Sequence, residues 1–375
     1  MGGLRWASAA VLLLVSIGGR LSAQELVPWH DPSPHSIQFV TVDENVKLEV
    51  LDWGGSGQPV VLLAGQGLTA HVFDDFAPKL TPEYHVYGIT RRGYGNSSSP
   101  ASGYSADRLG DDVLAVLDAL RLNRPVLVGH SIGGEELSSV ATRHPERVAG
   151  LIYLDAGYAW AYYDRSLGNY LLDLQDLQWK LDQMQPGKGP TDLKPVVREL
   201  LQENLPQFER DLQELQGSLQ APPLPFPPPS ADDLKSFPVF RAWALRVRGL
   251  NYPEAELRQT FETTPDGGVA FKLRSQPRIG PAITAGWQKY TDIRVPVLAI
   301  YAVPHDLGPY ANNNPVARAA YEASDIASTE AQAKAFENGI PSARVVRLPH
   351  ANHLVFLSNE ADVLREMRSF LAGMH

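Results

Sequence analysis

The stretch from Val126 to Gly134 constrains the fold more than any other part of this 375-residue sequence. It reads VLVGHSIGG, in which an apolar, β-branched run ends at a glycine, a serine follows two residues later, and two more glycines follow. A helical pattern begins at Glu135. A strand that turns sharply into a helix needs small residues on both sides of the turning residue, and Gly129 and Gly133 supply them. The stretch therefore predicts a strand–turn–helix unit with Ser131 at the turn.

Strand-like and helix-like segments alternate on both sides of this unit. The strand-like segments cover residues 37–42, 46–52, 59–63, 85–90, 148–154, 295–301 and 343–348. The helix-like segments cover residues 71–80, 109–122, 135–144, 328–337 and 360–371. Such alternation is typical of a mostly parallel, doubly wound sheet with helices on both faces. The sequence therefore predicts an α/β fold.

The alternation stops between residues 158 and 290. Leu- and Gln-rich helical segments occupy 171–184 and 196–219, and a proline tract covers 222–229. We interpret 158–290 as a helical lid inserted into a core formed by 24–157 and 291–375. The aromatic residues expected mainly to pack this lid, with two or three of them contacting a ligand, are Tyr158, Trp160, Tyr162, Tyr163, Trp179, Trp243 and Trp287.

Residues 1–23 have the pattern of a secretory signal peptide. A short basic region at Arg5 precedes an apolar run over residues 7–17, and Leu21-Ser22-Ala23 fits a cleavage site. The run is short for a bilayer span, so we expect export to the periplasm or the extracellular space without a stable membrane span after cleavage. An uncleaved N-terminal anchor is the alternative.

Charge and cysteine content exclude several classes of function. The net charge is −9 and no basic cluster offsets it, which argues against a nucleic-acid partner. The chain has no cysteine, which excludes disulfides and thiolate metal sites. No His/Asp/Glu cluster has persuasive ligand spacing, and surface or packing roles suffice for the histidines at 30, 35, 71, 85 and 144. We therefore expect no metal and no cofactor.

A serine at such a turn becomes a nucleophile only when a base takes its proton. In open parallel sheets, catalytic groups lie in the loops after the carboxyl ends of strands. His353 follows the last predicted strand and precedes a new apolar run, so it is the preferred base for Ser131. His350, in the same loop, is its rival.

A carboxylate should orient this histidine, and two candidates follow predicted strands. Asp306 follows the strand at 295–301 and is preferred, whereas Asp155, which follows the strand ending at Leu154, is the alternative acid. The preferred order along the chain is serine, acid, histidine.

The negatively charged oxygen of a tetrahedral intermediate needs backbone N–H donors. We expect one from Ile132, the residue after the serine, and one from the loop after the strand at 59–63, where Gln66 is the best candidate.

Taken together, these motifs resemble the α/β-hydrolase superfamily with a serine nucleophile. The likeness covers residues 36–157 and 291–373 and rests on GHSIGG at 129–134, RGYGNS at 92–97, Asp306 and His353. In this family the RGYGNS-type loop usually shapes the core beside the active site and is not itself catalytic. Relatives often have His-Gly where this chain has Ala64-Gly65. Epoxide hydrolases and haloalkane dehalogenases look similar but use an aspartate nucleophile, which this chain lacks at the turn.

The leading interpretation is an exported serine hydrolase that cleaves a carboxylic ester through an acyl-enzyme, with Ser131, His353 and Asp306 as its triad. We expect a small-molecule substrate with an apolar acyl or alcohol group. An amide or carbon–carbon hydrolase, a haloperoxidase-like enzyme and a non-catalytic ligand-binding homologue are the alternatives, because the fold alone does not choose among them.

Overall fold

An eight-stranded sheet forms the centre of the computed structural model, which describes residues 29–218, 226–272 and 279–374. The predicted signal peptide at 1–23 and the first part of the proline tract lie outside the described residues. The strands of the chain are β1 (Ser36–Asp43), β2 (Val46–Gly54), β3 (Pro59–Leu63), β4 (His85–Ile89), β5 (Val126–His130), β6 (Gly150–Leu154), β7 (Phe261–Thr263), β8 (Val269–Phe271), β9 (Val297–Ala302) and β10 (Ala343–Leu348).

The order of strands in this sheet is β1-β2-β4-β3-β5-β6-β9-β10. The strands from β4 to β10 in this order are parallel to one another, and β2 runs antiparallel to both β1 and β4. The predicted mostly parallel sheet is therefore confirmed, and β5 lies near its middle.

Helices cover both faces of the sheet. The α-helices of the described residues are α1 (Ala106–Ala119), α2 (Gly133–Arg143), α3 (Tyr170–Gln183), α4 (Lys194–Glu199), α5 (Leu205–Ser218), α6 (Phe237–Arg248), α7 (Glu254–Thr260), α8 (Ile279–Thr284), α9 (Pro315–Gly339), α10 (Val355–Ser358) and α11 (Glu360–Ala372). Successive residues of a strand point to opposite faces. Accordingly, Leu127 of β5 packs in one buried cluster with α1, α2 and α9, whereas Val128 packs in another with α11.

Two predicted helices differ from the structure. Residues 71–80 form two short 3₁₀ helices, Ala70–Phe73 and Ala77–Lys79, because Pro78 has no N–H for a continuous α-helix. The helix predicted at 328–337 is the second half of α9, which begins at Pro315. The Asn314 side chain caps its first turn by accepting a hydrogen bond from the Ala317 N–H.

The described chain between β6 and β9 adds no strand to the eight-stranded sheet. These two strands are neighbours in the sheet, and the described residues between them form helices α3 to α8 and the β7–β8 hairpin. Among the described residues, no helix is long and apolar enough to cross a membrane.

Two buried ion pairs fix the loop that follows β4. Arg91 donates to Glu136 of α2 and, through Nη2, to the Ala64 carbonyl oxygen at 2.9 Å. Arg92 is 1% exposed and forms a bidentate pair with Asp112 of α1, at 2.5 and 2.6 Å. These pairs join the loop to the two helices that flank β5.

Replacing Arg92 with leucine should destabilise the fold, because the buried Asp112 carboxylate would lose its bidentate partner. We expect a loss of about 3 kcal/mol in the free energy of unfolding, the low end for a broken buried ion pair, since Arg108 still contacts Asp112. Urea denaturation measures this loss. The control is Arg147→Leu, which removes an exposed pair with Asp118 and should cost roughly 1 kcal/mol or less. Equal losses in the two variants would contradict the prediction.

Candidate active site

Ser131 lies at the carboxyl end of β5 with a φ of 54°, a left-handed backbone conformation that is rare for serine. The turn has no room for larger neighbours. A Cβ at Gly129 would lie 2.4 Å from Leu137 Cδ1, and one at Gly134 would lie 2.3 Å from the Ala156 carbonyl oxygen. The predicted strand–turn–helix unit is therefore present, with the serine held at a strained turn.

His353 and Asp155 are in direct contact. His353 Nδ1 lies 2.6 Å from Asp155 Oδ2, and the His353 side chain is 17% exposed, while Asp155 is fully buried. Donation from Nδ1 to the carboxylate leaves Nε2 as the basic nitrogen of the ring. The rival His350 is exposed.

Asp306, the preferred acid, is not the carboxylate that contacts His353. Among the contacts of the described residues, its carboxylate accepts a hydrogen bond from the Gly308 N–H at 3.0 Å, and none joins it to His353. The reason is its position in the sheet. Asp155 follows β6, the direct neighbour of β5, whereas Asp306 follows β9, one strand or about 4.8 Å further away. The alternative acid, Asp155, replaces it.

The Asp155 carboxylate accepts hydrogen bonds from four donors. Besides His353, Tyr158 Oη (2.9 Å) and the Ala302 N–H (3.1 Å) donate to Oδ1, and His305 Nε2 (2.7 Å) donates to Oδ2. Burial alone would raise the pKa of Asp155, but the charge and hydrogen bond of His305, with those of His353, hold this pKa far below its usual range. Asp155 is therefore ionised at neutral pH.

His305 was not predicted as part of the site. Its Nδ1 lies 2.9 Å from Asp325 Oδ1 in α9, so each ring nitrogen faces a carboxylate. Burial would lower the pKa of His305, but Asp155 and Asp325 raise it to about 10. His305 is consequently a charged imidazolium at neutral pH. The sequence did offer a signal for His305, because it lies in the loop after β9. Only Asp306 was considered in that loop.

The His130 side chain contacts His353 through its ring and through a hydrogen bond. The two rings lie 4.7 Å apart, and His130 Nε2 is 3.1 Å from the His353 carbonyl oxygen. Burial lowers the pKa of His130 to about 3, so its ring is neutral and donates this hydrogen bond. The loop that carries His353 is thereby fixed to the residue before the serine.

The loop after β3 lies against Ser131. A Cβ at Gly65 would be 2.7 Å from His130 Nδ1 and 3.1 Å from Ser131 Cβ, so only glycine fits there. Within the described part of the chain, neither the Gln66 nor the Ile132 backbone N–H donates to another backbone group. That these two N–H groups bind the oxyanion stays a prediction. The absence of a backbone acceptor for them in this part of the chain is compatible with it.

The segment between β6 and β9 contributes an apolar wall beside the serine. Ile279 and Ile283 of α8 pack against Ile132, together with Trp160 and Trp287. Trp160 Nε1 also donates to the Ser131 carbonyl oxygen at 3.3 Å. This wall borders the turn directly.

The other predicted lid aromatics lie elsewhere. Trp179 is exposed, Trp243 stacks on Phe240 in a separate cluster, and Tyr163 donates to Asp173. Tyr162 packs on Phe336 of α9. Tyr158 is the exception, because it donates to the Asp155 carboxylate.

Among the residues that the structure describes, two groups of side chains have donor atoms close enough to hold a metal ion. In the first, Asp155, His305 and His353, the nitrogens that face Asp155 both serve as hydrogen-bond donors, and the outer nitrogen of His305 donates to Asp325. These contacts fit a proton-transfer site better than a metal site. The second group lies on other elements and is described below.

His305 leads to a prediction about the pH dependence of stability. Its pKa is raised from 6.5 to about 10 in the folded protein, so its proton stabilises the fold fully below pH 6.5, and this contribution is lost as the pH rises toward 10. The advantage of the wild type over His305→Gln in free energy of unfolding should therefore shrink across this range. Urea denaturation at several pH values measures it. His144→Gln, at an exposed site, is the control, and an advantage that stays constant for His305 would contradict the assignment.

Comparisons with known proteins agree with this architecture. A family profile described as the alpha/beta hydrolase fold matches residues 58–360. A non-heme chloroperoxidase of Streptomyces lividans is 37% identical over 120 residues, which are 31% of this chain and 44% of that protein. A putative non-heme haloperoxidase of Mycobacterium phage D29 is 30% identical over 118 residues, which are 31% of this chain and 42% of that protein. The chain thus spans less than half the length of these relatives.

A solved structure, that of E-2-(acetamidomethylene)succinate hydrolase, superimposes with a TM-score of 0.57. The superposition covers 90% of this chain and 99% of the hydrolase chain, at 18% sequence identity, and so supports the fold alone. The family profile, in contrast, covers well over half of the sequence. On this basis, the chain belongs to the alpha/beta hydrolase fold family.

Proposed function

We propose that this protein is an exported serine hydrolase that cleaves a carboxylic ester through an acyl-enzyme intermediate. The observation that carries the proposal is the 2.6 Å contact between His353 Nδ1 and the buried Asp155 carboxylate. The loop of His353 is hydrogen-bonded to His130, the residue before Ser131 at its strained turn. In this proposal Ser131 is the nucleophile, His353 the base and Asp155 the acid that orients it.

The first half of the proposed reaction forms the acyl-enzyme. His353 Nε2 takes the proton of Ser131 Oγ as this oxygen attacks the acyl carbon of the ester. The backbone N–H groups of Ile132 and Gln66 stabilise the negatively charged oxygen of the tetrahedral intermediate. The carbon–oxygen bond to the leaving group then breaks, and His353 gives its proton to the departing alcohol.

The second half releases the acid. His353 Nε2 takes a proton from a water molecule, whose oxygen attacks the acyl carbon. The second tetrahedral intermediate collapses as the bond from the acyl carbon to Ser131 Oγ breaks, and His353 returns the proton to this oxygen, which leaves the carboxylic acid and free Ser131. Asp155 stays ionised throughout and stabilises the imidazolium that forms on His353. His305 and Tyr158 hold this carboxylate in place, so they act as positioning residues.

The substrate class follows from the wall beside the serine. Ile279 and Ile283 are buried in one cluster with Ile132, and the partly buried Trp160 and Trp287 pack against it. This apolar lining favours an apolar acyl or alcohol group. In this proposal the segment from 158 to 290 is a lid, and α8 is its part nearest to the reacting atoms.

A second candidate activity is haloperoxidase-like chemistry on the same triad. It is favoured by the names of the two relatives, both non-heme haloperoxidases, although the similarity covers only 31% of this chain. Hydrogen peroxide in place of water would release a peracid from the acyl-enzyme. Peracid formation from an ester and hydrogen peroxide, compared with ester hydrolysis at equal enzyme concentration, distinguishes the two activities.

Export is proposed from the sequence of residues 1–23 alone. Cell fractionation, combined with the N-terminal sequence of the isolated protein, tests it. A mature chain that begins after Ala23 in the periplasm or medium supports the proposal, and an intact N-terminus in the cytosol contradicts it.

Substitutions at three residues test the proposed triad with a short-chain p-nitrophenyl ester. Ser131→Ala and Asp155→Asn should each lower kcat by about 10⁴-fold, since the nucleophile is removed in one and the histidine loses its orienting partner in the other. The matched control is Asp306→Asn, which should stay within roughly twofold of the wild type because its carboxylate only accepts from Gly308.

Circular dichroism must show that each variant is folded. A fluorophosphonate probe gives a second readout, because it should label the wild type and fail to label Ser131→Ala. Equal hydrolysis by the wild type and Ser131→Ala would overturn the mechanism. A loss in Asp306→Asn as large as that in Asp155→Asn would overturn the choice of acid.

A further inference from the structure

A second group of metal-ligating side chains lies outside the proposed triad. Asp31 and His35 precede β1, whereas His71 and Asp74 belong to the 3₁₀ turn after β3. Each of the four offers one ligand atom, and these atoms all lie within 4.8 Å of one another. We propose that this group, the His₂Asp₂ cluster, binds a divalent transition-metal ion, and that Zn²⁺ is the ion it fits best.

Several distances within the cluster are close to those between the ligands of a tetrahedral zinc ion. Zinc–ligand bonds of 2.0–2.2 Å in a tetrahedron place neighbouring ligand atoms roughly 3.3–3.6 Å apart. His71 Nδ1 lies 3.1 Å from Asp74 Oδ2 and 3.5 Å from Asp31 Oδ2. The fourth ligand, His35, has Nδ1 3.0 Å from Asp74 Oδ1 and Nε2 3.8 Å from Asp31 Oδ2. The four ligand atoms lie within 4.8 Å of one another, so side-chain shifts of about 1 Å would bring them to the edges of such a tetrahedron.

Within the described ranges of the chain, two buried imidazole nitrogens in the cluster have no hydrogen-bond partner. They are His35 Nδ1 and His71 Nε2, on side chains that are each 2% exposed. His35 Nδ1 is only 3.0 Å from an Asp74 oxygen, yet the pair does not have the geometry of a hydrogen bond. Buried polar atoms are normally paired, and an ion bound by His35 would supply a partner that its ring lacks.

The residues around the cluster orient its ligands as an outer shell would. The Ser33 N–H donates to Asp31 Oδ1 at 2.9 Å, and Trp53 Nε1 donates to Asp74 Oδ1 at 3.1 Å. In both carboxylates Oδ2 is thereby directed toward His71 Nδ1. On the other side of the His71 ring, Nε2 lies 3.7 Å from Glu49 Oε1, and a carboxylate behind a ligating histidine is a common feature of zinc sites.

The charges near the cluster also favour a cation. Asp31, Asp74 and Glu49 surround the two imidazoles, and Glu256 of α7 is close enough to interact electrostatically with His71. A dication offsets this negative charge, while neutral imidazole and carboxylate together suit zinc better than magnesium or calcium, which prefer oxygen ligands only.

A bound ion would join two parts of the chain that are distant in sequence. It would tie the segment before β1 to the turn that directly follows the loop of Gln66. Thr69 caps this turn, and it is also fixed by Glu256 of the inserted segment, because its N–H and Oγ1 donate to the Glu256 carboxylate. The proposed ion is therefore structural, and its binding does not depend on the proposed ester hydrolysis.

The test uses the full mature chain without a polyhistidine tag. Elemental analysis of the protein as purified, followed by chelation and calorimetric titration with Zn²⁺, should give one ion per chain. Zinc should also raise the thermal midpoint of the chelated protein, because an ion that binds only the folded state stabilises it. Co²⁺ should give the visible absorption of a tetrahedral site.

Variants then assign the ligands. His35→Gln and His71→Gln should each weaken zinc binding by at least about 100-fold, and Glu49→Gln, which changes only the outer residue, by about 10-fold. The matched control is His85→Gln, because His85 forms a similar histidine–carboxylate pair with Asp52, partly exposed and outside the cluster. It should bind zinc like the wild type. Asp31→Asn, at the most exposed ligand, serves if a histidine variant does not fold.

Three results would overturn the proposal. They are the absence of any zinc-dependent shift in the wild type, zinc binding that is unchanged in both histidine variants, and equal losses in His85→Gln. In each case the His₂Asp₂ cluster is an ion-pair network held by protons, without a metal.

Discussion

The buried carboxylate of Asp155 is the group on which the proposed site depends. A charge removed from water is costly unless hydrogen bonds and opposite charges offset the loss of hydration. Here the compensation comes from distant parts of the sequence: His305 after β9, His353 after β10 and Tyr158 at the start of the inserted segment. These donors belong to three different loops, so the packing that brings the loops together also orients His353. The left-handed φ of 47° at Asp155 is tolerated for the same reason.

Much of the core could be predicted from periodicity and turn residues. The bounds of β3 and β10 agree with the sequence to the residue, and the turn at Ser131 was evident from its glycines. These features depend on neighbours in the chain. The helix expected at 71–80 failed because Pro78 outweighs the apolar spacing around it. His71 and Asp74 are three residues apart and share a face of the first short turn, as they would in an α-helix.

The site was predictable in its types of residue but not in its pairing. Loops after neighbouring strands of a parallel sheet offer several acids, and the choice between Asp155 and Asp306 depends on the order of β6 and β9 in the sheet. That order is a tertiary property with no local signal. The same holds for α8, whose contact with Ile132 joins residues far apart in the chain. Sequence reasoning therefore finds candidates, and the sheet order selects among them.

The loop of Ala64 and Gly65 is held in place although it lacks the histidine that relatives often have there. Two anchors hold the ends of the loop: Arg91 Nη2 on the Ala64 carbonyl oxygen, and Thr69 on the insertion's Glu256. Arg91 also pairs with Glu136 of α2, so the same guanidinium joins the loop to the helix that starts after the serine. The positions of the Gln66 and Ile132 N–H groups are thus linked through Arg91. Because Glu256 belongs to the inserted segment, its hydrogen bonds to Thr69 join α7 to the loop that carries Gln66, one of the two proposed oxyanion donors.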